Sequence, residues 1–334
     1  MIVSRDPFNA ETRLDLQQGM LTAPGRHYAR SHFAQPDPPP ELTVGGTVGE
    51  PRAFTVAELR ALPSRSATVT LECAGNGRSF LRPPAPGEQW GLGAVSTAEW
   101  TGVTLRSLLE PRGLSPATVE ILFRGADAGT PPGAGRRMAF ERSLPLDRAL
   151  ADDVLVAYAM NGGPIPAEHG APLRLIVPAW YGMASVKWLA DIVALEQPFR
   201  GFYQAERYVV GDRPLREMRP RAVIAWPPDG EVVPVSPLVV RGYAWSGGSN
   251  IVAVEFSSDG GRTWLASDLQ PAISAYAWRE WRIHWQPSDP GTVSLRARAV
   301  TADGARQPDL QYRTDLGYSN NAIQPTSIKV RLPR

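Results

Sequence analysis

The chain has 334 residues, long enough for two domains. Hydrophobic residues make up 43% and charged residues 20%, and a formal net charge of +2 gives no electrostatic case for a nucleic-acid partner. A single cysteine excludes an intrachain disulfide, so the fold rests on its core. Of 35 basic residues only Lys187 and Lys329 are lysines. The rest are arginines, whose planar fork can grip an oxyanion through two parallel hydrogen bonds.

The N-terminus "MIVSRDPFNAE" carries neither a basic-then-apolar signal pattern nor a twin arginine, so a cytoplasmic chain is expected as written, and a periplasmic one if a leader was removed. Residues up to 40 are irregular and end in the stiff "QPDPPP". "ELTVGGTV" predicts a hairpin turning at Gly45-Gly46. "TVAELRAL" predicts a short helix with Thr55 as N-cap and Glu58 completing a capping box. "ATVTLE" alternates as a strand, with Cys73 at its end. "VTLRSLLEPRG" predicts a helix capped by Thr104 and stopped near Gly113. "TVEILF" follows as a strand, and "ERSLPLDRAL" reads as helical. "DVLVAYAMNGGPIP" predicts a strand running into an Asn-Gly-Gly turn. "PLRLIVP" and "VKWLADIVALE" are further strands. The apolar "LIVPAWYGMASV" is broken by Pro178 and Gly182 and is too short to span a bilayer, so no membrane association is expected.

Strands and short helices without a βαβ rhythm give an α+β fold for residues 1–215. The character changes across 214–230, which is proline-rich. Beyond it, strands at short spacing with Gly and Asp turns predict an all-β immunoglobulin-like sandwich over 216–334.

No HExxH, P-loop, dinucleotide-binding glycine motif or GxSxG is present. Four scattered histidines and one cysteine do not make a structural zinc site. "SSDGGRTW" (257–264) fits an Asp-box, read as a hairpin in which Asp259 bonds its own turn and Trp264 enters the core. It also leaves open a non-catalytic sugar-binding or adhesion protein. Cys73 ends a strand and precedes "AGNG", which lets the backbone turn tightly and approach a ligand. Arg78 lies five residues on, and a thiolate beside arginine is favoured as the charged, metal-binding form.

"LECAGNGRS" resembles the cysteine loop of the sulfite oxidase family, molybdenum enzymes with one molybdopterin and a single protein cysteine on the metal. "DPFNAE", "HYARSH", "GAVSTAEWTGVTL" and the long "AYAMNGGPIPAEHGAPLRLIVPAWYGMASVKWL" (157–189) match in order. The strand-rich C-terminus resembles the family's dimerisation domain, which implies a homodimer.

The resemblance implies Cys73 as the metal ligand. It implies Tyr28, Ala29, Arg30, Ser31, His32, Asp127, His169, Arg174, Ser185, Val186 and Lys187 as the holders of the pterin and its phosphate. Arg30, Arg78 and Tyr208 are implied to handle a small oxyanion. The implied reaction oxidises sulfite to sulfate, with electrons passed to an external acceptor such as a c-type cytochrome or oxygen; "HPGG", the haem-ligand motif of cytochrome b5-like domains, is absent, so no haem is expected in this chain. The same scaffold also supports reduction of sulfoxides or nitrate. Animal and plant members carry a substrate arginine near the C-terminus. Leu316 stands at its apparent position here, with Arg313 close by but out of register.

Overall fold

The computed structural model describes residues 1–311 and 314–332; Arg313 lies outside them. The chain opens with a small hairpin, β1 (Ile2–Arg5) and β2 (Phe8–Ala10), then runs as extended chain and short 3-10 turns. Next come β3 (Leu42–Gly46), β4 (Arg52–Phe54), α1 (Val56–Ala61), β5 (Arg65–Glu72), β6 (Val95–Thr104), α2 (Leu105–Leu109), β7 (Glu120–Gly129) and β8 (Met138–Pro145). They are followed by α3 (Leu146–Ala149), β9 (Leu155–Met160), β10 (Gly163–Pro164), β11 (Arg174–Ile176), β12 (Leu189–Leu195) and α4 (Phe202–Ala205).

Two sheets result, one ordered β10-β9-β6-β5 with β11 also on β9, the other β4-β3-β12-β7-β8. All pairings in them are antiparallel except β3 with β12. Leu42, Leu59, Leu105, Ile121, Phe123 and Ile192 are fully buried in the core they share. Short helices fill the connections, and the caps of α1 and α2 are those the sequence predicts. Thr55 Oγ1 accepts from Glu58 N–H while the Glu58 carboxylate accepts from Thr55 N–H. Thr104 caps α2, and Gly113, in the left-handed region, ends the 3-10 turn after it.

Three sequence expectations fail here; the first is that residues up to 40 are irregular, since β1 and β2 pair as a hairpin. Gly45 and Gly46 do not turn a hairpin; both lie in β3, paired in parallel with β12. A Cβ on Gly46 would press on the Ala194 backbone, so the glycine serves close strand approach. The segment 141–150 is helical only in its second half: 141–145 are strand and 146–149 form α3. β8 pairs along β7 as far as Pro145, and a helix starts only after that proline. Proline lacks the N–H a helix interior needs, and the open edge of β7 outweighs a weak helical propensity.

After the small ribbon of β13 (Val209–Val210) and β14 (Arg213–Pro214), every further described element is a strand. These are β15 (Arg221–Trp226), β16 (Val232–Pro234), β17 (Leu238–Trp245), β18 (Ile251–Ser257), β19 (Leu265–Ala266), β20 (Asp268–Leu269), β21 (Arg279–Trp285), β22 (Gly291–Thr301) and β23 (Thr326–Arg331). They form one sheet of order β15-β17-β21-β20 and another of order β16-β23-β22-β18-β19. Val240, Phe256, Trp281, Leu295 and Ile328 are fully buried in their shared core, as a sandwich requires.

In the Asp-box the Asp259 carboxylate accepts from the Arg262 and Thr263 N–H groups and from the Thr263 hydroxyl, a self-contained turn. Trp264, however, is only half-buried. The Arg298 guanidinium covers its ring at 3.9 Å, which seals it without core placement. Among the described residues no helix is long and apolar enough to cross a membrane.

Candidate functional site

β5 ends at Glu72, and the next residue leaves the ladder. Cys73 N–H donates to Ala94 O (2.8 Å) and its carbonyl accepts from Asn76 N–H (2.9 Å), which starts a tight turn. Gly75 lets Arg78 fold back over the turn, since a Cβ there would lie 2.6 Å from the guanidinium. Gly77, at φ 80°, takes the left-handed conformation that only glycine adopts freely. The Cys73 side chain is buried. Burial pushes its thiol pKa up, while Arg30, the Gly75 N–H and Arg78 pull it down, and burial prevails. Arg78 alone therefore does not make a thiolate here. A bound cation would, because it reverses that balance.

The loop is gripped from the sandwich side. Glu72, buried, takes a hydrogen bond from Trp245 Nε1 (2.9 Å) and one from Asn76 Nδ2 (3.0 Å). Arg221 Nε lies 3.4 Å from its carboxylate, an ion pair with both side chains out of solvent. Arg221 Nη2 donates to Asn76 O, Asn320 Nδ2 to Gly77 O and Ser319 N–H to Ala74 O. Arg78 in turn donates to Leu316 O (3.1 Å). Each carbonyl of the Ala74–Gly77 turn except that of Gly75 thus meets a donor from beyond residue 220. The Gly75 carbonyl accepts from Arg78 N–H.

Cys73 opens into a cavity. Its wall takes Tyr28, Ala29, Arg30 and His32 from the extended N-terminal segment, and Asp127 from β7. His169, Arg174, Ser185 and Lys187 come from the chain around β11, and Tyr208 from the turn after α4. Two predicted residues stand behind this wall. Ser31 accepts a hydrogen bond from Lys187 Nζ (2.8 Å), and Val186 packs in the core with its N–H on Ala184 O.

Arg174 is held by the carbonyls of His169 and Ser185, over the face of Trp100. Burial lowers its pKa to about 10. Burial and the neighbouring Arg174 lower that of Lys187 well below its usual value. Burial lowers His169 to about 3, so it is neutral. Burial raises Asp127 to about 6 despite Lys187, and its Oδ1 has no hydrogen-bond partner.

A second cleft shares Arg30, His32, Cys73 and Tyr208 with the first cavity and leads outward past Arg78, Trp90, Leu316 and Tyr318. His32 bridges two of the shared residues. Its Nδ1 is 3.0 Å from Arg30 Nη2 and its Nε2 is 2.6 Å from the Tyr208 hydroxyl. Burial, then Arg30, pushes its pKa well down, so the ring is neutral. Arginine only donates, so Nδ1 accepts and the proton sits on Nε2, donating to Tyr208. The Tyr208 hydrogen is then free to point into the cleft. Tyr208 has φ 48°, a left-handed backbone costing about 1–3 kcal/mol for a side chain of this size, which is typical of a residue fixed for function.

The structure thus gathers ten of the predicted residues with Cys73 in one cavity and puts Arg78 in the adjoining cleft. Sequence reasoning missed Glu72, Arg221 and Trp245, which fix the loop, and Arg207 and Tyr318, which line the cleft. Adjacency to Tyr208 was the one available signal for Arg207. Among the described residues no group of three His, Cys, Asp or Glu side chains could hold a metal, so a metal at Cys73 must bring its other ligands with a cofactor.

Residues 34–203 match the oxidoreductase molybdopterin binding domain, and residues 212–331 the Mo-co oxidoreductase dimerisation domain. Sulfite oxidase of Gallus gallus is 36% identical, over 92% of this chain and 72% of its own length. Mitochondrial sulfite oxidase of Mus musculus is 33% identical, again over 92% of this chain, which spans only 61% of that protein. The crystal structure of the sulfane dehydrogenase SoxCD from Paracoccus pantotrophus superposes with a TM-score of 0.83 at 27% identity, covering 99% of this chain and 88% of that one. A lone cysteine presented to a cationic cavity, matched along almost the whole chain, places this protein in the sulfite oxidase family of molybdopterin oxidoreductases.

Proposed function

We propose that this protein oxidises sulfite to sulfate and passes the electrons to a separate acceptor. The observation that carries the reading is the placement of Cys73 between two connected spaces, one fit for a cofactor and one fit for a small oxyanion. The cofactor side suits a pterin with a phosphate tail. Asp127 offers a buried acceptor without a partner, the kind an amino-pyrimidine N–H seeks. Arg174 and Lys187 are buried cations that oppose one another, and an anion between them would relieve that. Phosphate meets this need through charge-assisted bonds, with His169 and Ser185 alongside.

When bound, the molybdenum supplies oxygen-atom transfer and takes up two electrons. The chain's own residues do the rest. Arg30 and Arg78 put positive charge beside Cys73, where a dianion must sit. His32 holds the Tyr208 oxygen so that its O–H can donate to the substrate. Tyr208 and Tyr318 stack at 5.0 Å and close the side wall. A homodimer through the sandwich and a c-type cytochrome as acceptor complete the reading, the latter in line with the similarity to SoxCD.

That similarity, with Leu316 in the cleft, favours one second reading: oxidation of a sulfur centre bearing a further sulfur or carbon substituent. Sulfite-dependent reduction of ferricyanide by protein from a molybdopterin-producing host tests the choice. No turnover with sulfite, but turnover with such a substrate, or oxidation of reduced dye by nitrate or a sulfoxide, would replace the first reading.

A further inference from the structure

Three arginines line the cleft leading to Cys73: Arg30, Arg78 and Arg207. Among the described residues none of them has a carboxylate within ion-pair distance. Glu88 shares the wall, so three positive charges face one negative charge.

Their hydrogen-bonding capacity differs. Arg78 is buried, with Nη1 on Glu88 O (2.9 Å) and Nη2 on Leu316 O (3.1 Å). Both of its terminal nitrogens thus serve the loop, while its buried Nε–H has no partner. Arg30 bonds Ser31 O, Asn9 Oδ1 and His32 Nδ1, so both of its terminal nitrogens also serve the fold. Arg207 is different. It is half-buried at the cleft wall, and its one described side-chain hydrogen bond runs from Nη2 to Pro132 O (2.8 Å). Its guanidinium rests over the Phe202 ring at 5.4 Å, which holds its plane without using its N–H groups. Its backbone N–H closes α4 on Phe202 O (2.8 Å), so its start point is fixed next to Tyr208.

We propose that Arg207 is a specificity-determining residue that captures the substrate anion at the cleft wall and hands it to Arg30 and Tyr208. Of the three arginines it alone has a terminal nitrogen, Nη1, with no described hydrogen bond, so it has the most donor capacity left for an oxyanion. The neighbouring Leu316 side chain supplies no charge, so this task falls to Arg207. The assignment rests on the reading of the cleft as an oxyanion site.

The test uses the cofactor-loaded protein, Arg207→Gln and Arg207→Lys, and sulfate as a non-reacting probe in isothermal titration calorimetry. Losing a charge-assisted pair of bonds should weaken sulfate binding about tenfold or more in Arg207→Gln. The KM for sulfite should rise by a similar factor with kcat within about twofold, since capture precedes chemistry. The steep loss of kcat/KM with added salt should flatten in Arg207→Gln and persist in Arg207→Lys, which keeps the charge but not the fork. Unchanged sulfate affinity and salt dependence in Arg207→Gln would overturn the proposal, as would wild-type protein that binds no sulfate. Sulfate binding needs no turnover. If it depends on Arg207 while sulfite is not oxidised, the capture role stands and the sulfite reading falls; sulfite oxidation with no effect of Arg207→Gln gives the reverse.

Discussion

Replacing Arg221 by Met should disturb the cysteine loop from the far side of a buried ion pair. Arg221 Nε lies 3.4 Å from Glu72, and both side chains are almost wholly out of solvent. Burial raises the Glu72 pKa more than Arg221, Trp245 and Asn76 together lower it, so the pair is kept at a desolvation cost. Removing the arginine leaves that carboxylate with two neutral donors, and breaking a buried pair in this way costs about 3–5 kcal/mol. Glu72→Gln alone strands the arginine and should cost a similar amount. The double variant Glu72→Gln/Arg221→Met buries no charge and should recover about 2 kcal/mol or more of the summed loss, because contacting residues couple. Urea unfolding of the three apoproteins measures this cycle. Hydrogen exchange at Asn76, Gly77 and Arg78 should quicken in Arg221→Met and slow again in the double variant. Additive losses, or single losses under about 1 kcal/mol, would refute the idea that this pair holds the loop.

Other consequences are direct. Tyr208→Phe removes the one hydroxyl that His32 leaves free to donate; sulfite kcat/KM should fall by about 1.5–3 kcal/mol in barrier terms, roughly 10- to 150-fold, with little loss of stability. Burial lowers the pKa values of His27, His32 and His169, so the unfolded chain takes up protons below pH ~6.5 that the folded chain refuses. The histidines should therefore destabilise the apoprotein by up to about 1.4 kcal/mol per pH unit each as pH drops below that value. Asp127, raised to about 6, is protonated first in the folded state and opposes this trend. Asp127→Asn should thus steepen the acid decline seen in urea midpoints at successive pH values. Asp259→Ala should lower the melting temperature and leave sulfite turnover untouched, since its bonds stay within its own turn.

The sequence carried the strand before Cys73, both capped helices and the sandwich, because alternation, capping boxes and Gly-Asp turns are local signals. It misread 141–145 because pairing with β7, not local propensity, makes those residues a strand, while 146–149 are helical as expected. Gly45-Gly46 looked like a turn because close approach of β12 leaves no local trace. The cavity residues were legible through the ordered resemblance, not through spacing. His32 shows what was not legible: its place between Arg30 and Tyr208 joins two segments 176 residues apart. Arg221 and Trp245 act on a loop from a different domain, and no pattern around Cys73 announces them.

The most direct test of the central claim is anaerobic titration of molybdenum-loaded protein with sulfite, with ferricyanide as the acceptor. Sulfite and water give sulfate, two protons and two electrons, so two ferricyanide ions should be reduced per sulfate formed. Cys73→Ser, still folded by circular dichroism, should reduce none. Wild-type protein with full molybdenum and no sulfite-dependent reduction, or Cys73→Ser with undiminished activity, would contradict the account.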